Sequence, residues 1–170
     1  MNTKDLMHAP RHSLAHLLAS VILDYDPKAQ LGIGPVIENG FYYDFLFSKP
    51  VSENQLTMLE NKMRSLIKKN IPFKREELSV AEGKALFANQ PFKLELISDI
   101  ETKGTTAVDE SLAQSGKNTV SVYKTGSFVD LCQGPHVEHS GKIQADACKL
   151  TKLAGAYWRG NEKNKMLTRI

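Results

Sequence analysis

The dipeptide Asn39-Gly40 stands between two apolar runs, GPVIE and FYYDFLF. A two-residue link of this kind favours a tight hairpin, because both residues tolerate the positive φ of the preferred turn. The spacing predicts antiparallel strands at about 33–38 and 41–47. Thr125-Gly126 punctuates TVSVYKTGSFVDLC in the same way and predicts two more strands within 119–132.

Elsewhere the apolar period becomes helical. Ala9-Pro10 favours a helix start, and Leu14, Leu17, Leu18, Val21 and Ile22 then recur at helical spacing until Pro27. This predicts a helix over about 10–24. Ser52 and Gln55 form a capping box ahead of Leu56, Leu59, Met63, Leu66 and Ile67, predicting a helix over 52–69. Residues 72–78 read as an edge strand blunted by charge. Ser79 and Glu82 form a second capping box, opening a short helix that ends near Asn89. In 92–97 apolar and polar residues alternate, predicting a half-buried strand with Lys93 and Glu95 on its polar face. Residues 99–117 read as a long polar loop, and ACKLTKLAGAYW as one or two strands broken by Gly155. There is no βαβ alternation, so the class is α+β, a mostly antiparallel sheet with packed helices.

Composition sets bounds on function. A chain of 170 residues fits a single domain over 1–170. No run approaches 18 apolar residues and the first residues carry no apolar signal core, so neither a membrane span nor export is expected. A net charge of +3 is too small to mark a nucleic-acid binder by itself. Two cysteines without an export signal read as reduced thiols in the cytoplasm.

The residues able to do chemistry fall in two short groups. His12 and His16 are four apart on one helix face, and Cys132 and His136 flank Gln133-Gly134-Pro135 at a strand end. Two imidazoles and a Cys/His pair can supply a tetrahedral zinc set. The plain alternative is a pair of helix-surface histidines and a small buried thiol. HSLAH has Ser13 where a zinc protease carries its Glu base. Asp130 shares a strand face with Cys132 and could orient an imidazole or hold an amine; it could equally be a strand-end residue. Lys93 reads as solvated. Of Tyr42 and Tyr43, alternation lets only one face a pocket. His8 and His139 read as surface residues.

RHSLAHLL, LGIGPVIENGFYYDF, PFKLELI, FVDLCQGPHV and KLAGAYWRGNEKNKMLTRI resemble, in order and over nearly the whole chain, the N-terminal editing domain of threonyl-tRNA synthetase. They are similar, more distantly, to alanyl-tRNA synthetase editing domains, where the HxxxH and CxxxH pairs can bind zinc. The resemblance implies the α+β fold common to those domains, and hydrolysis of serine mischarged onto threonine-specific tRNA. It implies Lys93 and His136 as catalytic residues and His12, His16, Tyr43, Asp130 and Cys132 as substrate contacts. No metal is required in the bacterial threonyl domain, although zinc could be held by His12, His16, Cys132 and His136. ATP belongs to the aminoacylation core that residues 159–170 lead toward. The whole enzyme is expected to be a homodimer and the domain alone a monomer, with tRNA as partner and no membrane. Gln133 replaces the family's usual Arg, and the family's small ubiquitin-like first domain is not present in this sequence.

Such a domain answers a physical problem. Serine is threonine without one methyl, and a missing methyl is worth only about 1–3 kcal/mol, or roughly 10–200-fold. A second pocket that admits serine and refuses threonine multiplies that selectivity. Two rival readings of the same residues are a module that grips the tRNA acceptor without hydrolysis and a metal-dependent hydrolase acting on a small molecule.

Overall fold

The computed structural model describes residues 6–104, 106, 118–146 and 148–170. Helix α1 (His8–Tyr25) runs through the centre of the molecule. Its residues 12–19, Val21 and Ile22 are all buried, so it is walled in on most sides instead of showing one apolar stripe. Against it packs α2 (Leu56–Lys68), which presents Leu56, Leu59, Met63 and Ile67. The Ser52–Gln55 box opens α2 as expected, through a short 3₁₀ turn: Gln55 Oε1 accepts from Ser52 N at 2.8 Å and from its Oγ at 2.7 Å.

The strands form three antiparallel groups. β1 (Gln30–Leu31), β4 (Asp44–Leu46), β8 (Ala154–Tyr157) and β9 (Met166–Arg169) make a four-stranded sheet in the order β1-β4-β9-β8. β2 (Val36–Ile37) and β3 (Gly40–Phe41) form a separate hairpin. β5 (Phe73–Ser79), β6 (Thr119–Thr125) and β7 (Phe128–Leu131) make the third group, with β5 on its edge as its charges imply. The class is α+β.

Several expectations need correction. The first hairpin exists, but Ile37 pairs with Gly40, so its two-residue link is Glu38-Asn39. Neither Asn39 nor Gly40 has a positive φ, so the turn that Asn-Gly favours is not used. The strand expected at 92–97 is a helix, α4 (Pro91–Lys103). Pro91 occupies its first turn, and Phe92, Lys93, Leu96, Ile97 and Ile100 form one buried helical face. Six alternating residues are too short a window to exclude a helix when the apolar positions also recur at i+4. Of the loop expected at 99–117, residues 99–103 belong to α4, while residues 105 and 107–117 lie outside the described set. Gly155 sits inside β8, paired with Thr168, and does not interrupt it. Residues 166–169 form β9, a central strand that the sequence reading did not anticipate.

Two cores result. One gathers α1, α2, Tyr43, Phe45, Phe73 and Phe128. The other packs α3 (Val80–Leu86) and α4 against β6 and β7, with Trp158 from the 3₁₀ turn after β8 and Leu167 of β9. The candidate site lies where α1, α4, β7 and the segment before β4 converge.

A buried histidine, cysteine and lysine cluster as the candidate active site

Each functional side chain is delivered by a different local rule. α1 carries His12 and His16 one turn apart, with ring centroids 5.1 Å from each other. β7 brings in Asp130. The chain then continues in register, Cys132 N donating to Ser121 O at 3.0 Å, and this fixes Cys132 beside α1. The turn that follows carries His136 back over the imidazoles. Gly134 has φ +88°, and a Cβ there would lie 2.5 Å from Tyr123 Oη, so this turn depends on glycine twice over.

Tyr43 precedes β4 and is held by paired backbone bonds with Ile170, at 2.9 and 3.1 Å. Its ring lies against Gly34, where an added Cβ would come within 2.2 Å of it. Lys93 enters from the first turn of α4. Its Nζ pairs with Asp130 Oδ1 at 2.7 Å and donates to Tyr43 Oη at 3.0 Å. Tyr43 in turn donates to Asp130 Oδ2 at 2.6 Å. The helix that replaces the expected strand is what buries this lysine, which is 1% exposed and not solvated. His16 Nε2 stands 3.8 Å from Asp130 Oδ2, which links this triad to the other group.

The other group centres on sulfur. Cys132 Sγ lies 3.4 Å from His12 Nε2 and 3.3 Å from His136 Nε2, and accepts the Gly134 N–H at 3.1 Å. The His136 ring stacks on His12 at 4.2 Å, lies 4.2 Å from His16, and is parallel to Phe73 at 5.1 Å. Burial, and then the charges of His12 and Lys93, hold His16 well below the usual histidine pKa. Burial followed by the neighbouring imidazoles does the same for His136. Both rings are neutral at physiological pH.

All seven residues singled out in the sequence thus meet in one cluster. The expected cleft is largely filled by its own side chains: six of the seven are 3% exposed or less, and only His136 is half-buried. Tyr42 points elsewhere, under the Arg169 guanidinium at 3.7 Å. A cavity of about 590 Å³, lined partly by Arg11 and Leu14 of α1, includes none of the seven. Sequence reasoning missed Phe73, which stacks on His136, and Tyr123, whose tilted ring lies 4.4 Å from it, and noticed Ser13 only as a residue that is not Glu. Ser13 Oγ lies 3.0 Å from His136 Nδ1.

The ligand atoms of His12, His16, Cys132 and His136 lie within 4.8 Å of one another and could hold a metal ion. Donors around tetrahedral zinc sit about 3.3–3.6 Å apart, which the two sulfur–nitrogen distances already match. His16 Nδ1 is buried with no hydrogen-bond partner, so a nitrogen is available for such an ion. The donor set therefore fits zinc.

Comparison with known proteins gives this geometry a context. Residues 120–170 match the family described as the threonyl and alanyl tRNA synthetase second additional domain. Over all 170 residues the chain is 44% identical to the threonine–tRNA ligase of Borreliella burgdorferi strain ZS7 and spans 27% of that protein. It is 49% identical over 160 residues, 94% of this chain, to that of Dehalococcoides mccartyi strain BAV1, spanning 25% of it. The chain is thus similar over its whole length to part of threonine–tRNA ligases, and over its last third to the second additional domain of the threonyl and alanyl enzymes. It spans about a quarter of the length of the curated synthetases that it matches. The matched family segment contains three of the cluster residues, Asp130, Cys132 and His136, while α1, Tyr43 and α4 supply the rest from the preceding part of the chain. Among the described residues no helix is long and apolar enough to cross a membrane.

Proposed function

We propose that this chain is one editing domain, residues 1–170, that hydrolyses the ester of serine mischarged onto threonine-specific tRNA. The observation that carries this reading is the meeting of a buried Lys93–Asp130–Tyr43 network with the His/Cys group, in a chain similar to threonine–tRNA ligases throughout. Water adds to the ester carbonyl and the bond to the ribose oxygen breaks. Serine leaves with its carboxylate, the ribose keeps one proton of the water as a hydroxyl, and one proton is released. Lys93, fixed by two acceptors, and His136, at the one half-buried point, contact the reacting ester; the others shape and orient the amino acid. Approach is from the His136 side. A pocket packed this closely suits a small side chain and penalises an added methyl. The partner is the aminoacylated end of tRNA, and the domain works in the cytoplasm within a homodimeric synthetase whose ATP-dependent core lies outside it.

Zinc is not required in this reading. If held by His12, His16, Cys132 and His136, it would supply water activation near neutral pH.

The test is deacylation of seryl- and threonyl-tRNA, with and without chelator, by the wild type and by Lys93→Ala and His136→Ala. The expected result is fast loss of the seryl ester, slow loss of the threonyl ester, insensitivity to chelator, and loss of activity in both variants. Full activity in both variants sinks the assignment. Binding of tRNA without turnover would favour a gripping module, and chelator-abolished turnover a metal-dependent hydrolase; the four-ligand cluster is the observation behind the latter.

A further inference from the structure

The hydrogen bonds around His136 fix where its proton sits. Nδ1 faces Ser13 Oγ at 3.0 Å and Nε2 faces Cys132 Sγ at 3.3 Å. Ser13 is 0% exposed, and its Oγ accepts the Val137 N–H at 3.0 Å. Among the described residues the remaining hydroxyl proton has one acceptor within reach, His136 Nδ1. Directed anywhere else it would be a buried donor without a partner, which folded proteins avoid.

The neighbouring groups agree with this direction. The Pro135 carbonyl can only accept, so His12 Nδ1, 3.2 Å away, carries a proton. With that proton on Nδ1, His12 can offer the lone pair of Nε2 to the Cys132 thiol at 3.4 Å. The sulfur accepts from Gly134 N–H at 3.1 Å and lies 3.3 Å from His136 Nε2, within reach of its proton. Protons thus run one way without conflict: Val137 to Ser13, Ser13 to His136, His136 to Cys132, Cys132 to His12, His12 to Pro135. The opposite tautomer of His136 would make Ser13 Oγ accept from Nδ1–H as well as from Val137 N–H, and leave the buried hydroxyl proton without a partner.

We infer that Ser13 is a positioning residue that holds His136 as its Nε2–H tautomer, so that in the metal-free site His136 offers a proton to the reacting oxygen and does not take one from water. The catalytic meaning rests on the proposed hydrolysis; the tautomer does not. Of the two roles open to Lys93 and His136, His136 is thereby given the stabilisation of charge on the ester oxygen.

The experiment is a long-range proton–nitrogen correlation spectrum of the chelator-treated full chain labelled with ¹⁵N-histidine. In the wild type, His136 is expected to show a protonated Nε2 and a bare Nδ1. Ser13→Ala should shift that population toward the other tautomer, and Ser13→Thr, which keeps the hydroxyl, should restore it. In parallel, Ser13→Ala should lower kcat on the seryl ester about tenfold or more with KM little changed. A protonated Nδ1 in the wild type overturns the inference, as does a wild-type spectrum in Ser13→Ala. If the alanine variant does not fold, the wild-type spectrum decides alone. Loss of deacylase activity in every form, with the tautomer as expected, would discard the proposed function and leave the role of Ser13 standing.

Discussion

Lys93 is a charge placed where almost no water reaches it, and Asp130 is the reason it can stay there. Removing one partner of such a pair leaves the other buried and uncompensated, at a cost of about 3–5 kcal/mol. Asp130→Ala should therefore lower stability by about that amount in urea denaturation at neutral pH, and abolish seryl-ester hydrolysis. Gly34 makes the complementary prediction. Its Cβ would drive the Tyr43 ring away from Asp130, so Gly34→Ala should cost about 1–3 kcal/mol and impair hydrolysis together. A variant as stable and active as the wild type would show that Tyr43 can yield. At this scale the sequence was informative but uneven. HxxxH and CxxxH could be seen from spacing alone. Lys93 could not, because its burial depends on an α4 face that six alternating residues disguised. Ser13 was illegible for another reason: a helical serine announces nothing until its partner, 123 positions away, is in place.

Elements were legible where a local signal was chemically specific. The Ser79–Glu82 box is formed, with Glu82 N donating to Ser79 Oγ at 3.2 Å and Ser79 N to Glu82 Oε2 at 2.8 Å. The hairpin read at Thr125-Gly126 exists, but Thr125 pairs with Phe128, so its two-residue link is Gly126-Ser127. Asn39-Gly40 marked a hairpin but not its register, because β2 and β3 are set by packing against α1 and not by the turn's preferred φ. The end of α1 carries a prediction of its own. Asp26 accepts from Ser48 N, Ser48 Oγ and Lys28 N. Burial opposes its ionisation, but the bonds from Ser48 and Lys28 outweigh it and hold the carboxyl below the usual 3.8. Its contribution to stability is thus complete above that value and fades as pH falls through the lower folded value. The stability gap between wild type and Asp26→Asn should be widest at pH 7 and shrink toward pH 3 in parallel denaturation curves. A gap that stays constant would mean that the carboxyl ionises alike in both states.

At the level of the whole molecule, the α+β class followed from hairpins without crossovers, but strand order did not, since β9 joins β4 across more than a hundred residues. The two cores share elements: Leu167 of β9 and Trp158 belong to the core of α4, while β4 and Ile170 belong to that of α1. They should unfold as one unit. Leu59→Ala and Ile97→Ala, one in each core, should each cost about 2–5 kcal/mol. Each should move far-UV dichroism and the fluorescence of Trp158, the only tryptophan, by the same amount. Separate transitions would show two independent units. The placement of β9 also has a consequence for biosynthesis. Until residues 166–170 leave the ribosome, β4 presents a bare flank and Tyr43 lacks the backbone partner that seats it. A nascent chain paused before that point carries every chemical group of the cluster yet no finished site, and meanwhile exposes a sticky margin of the kind that chaperones bind.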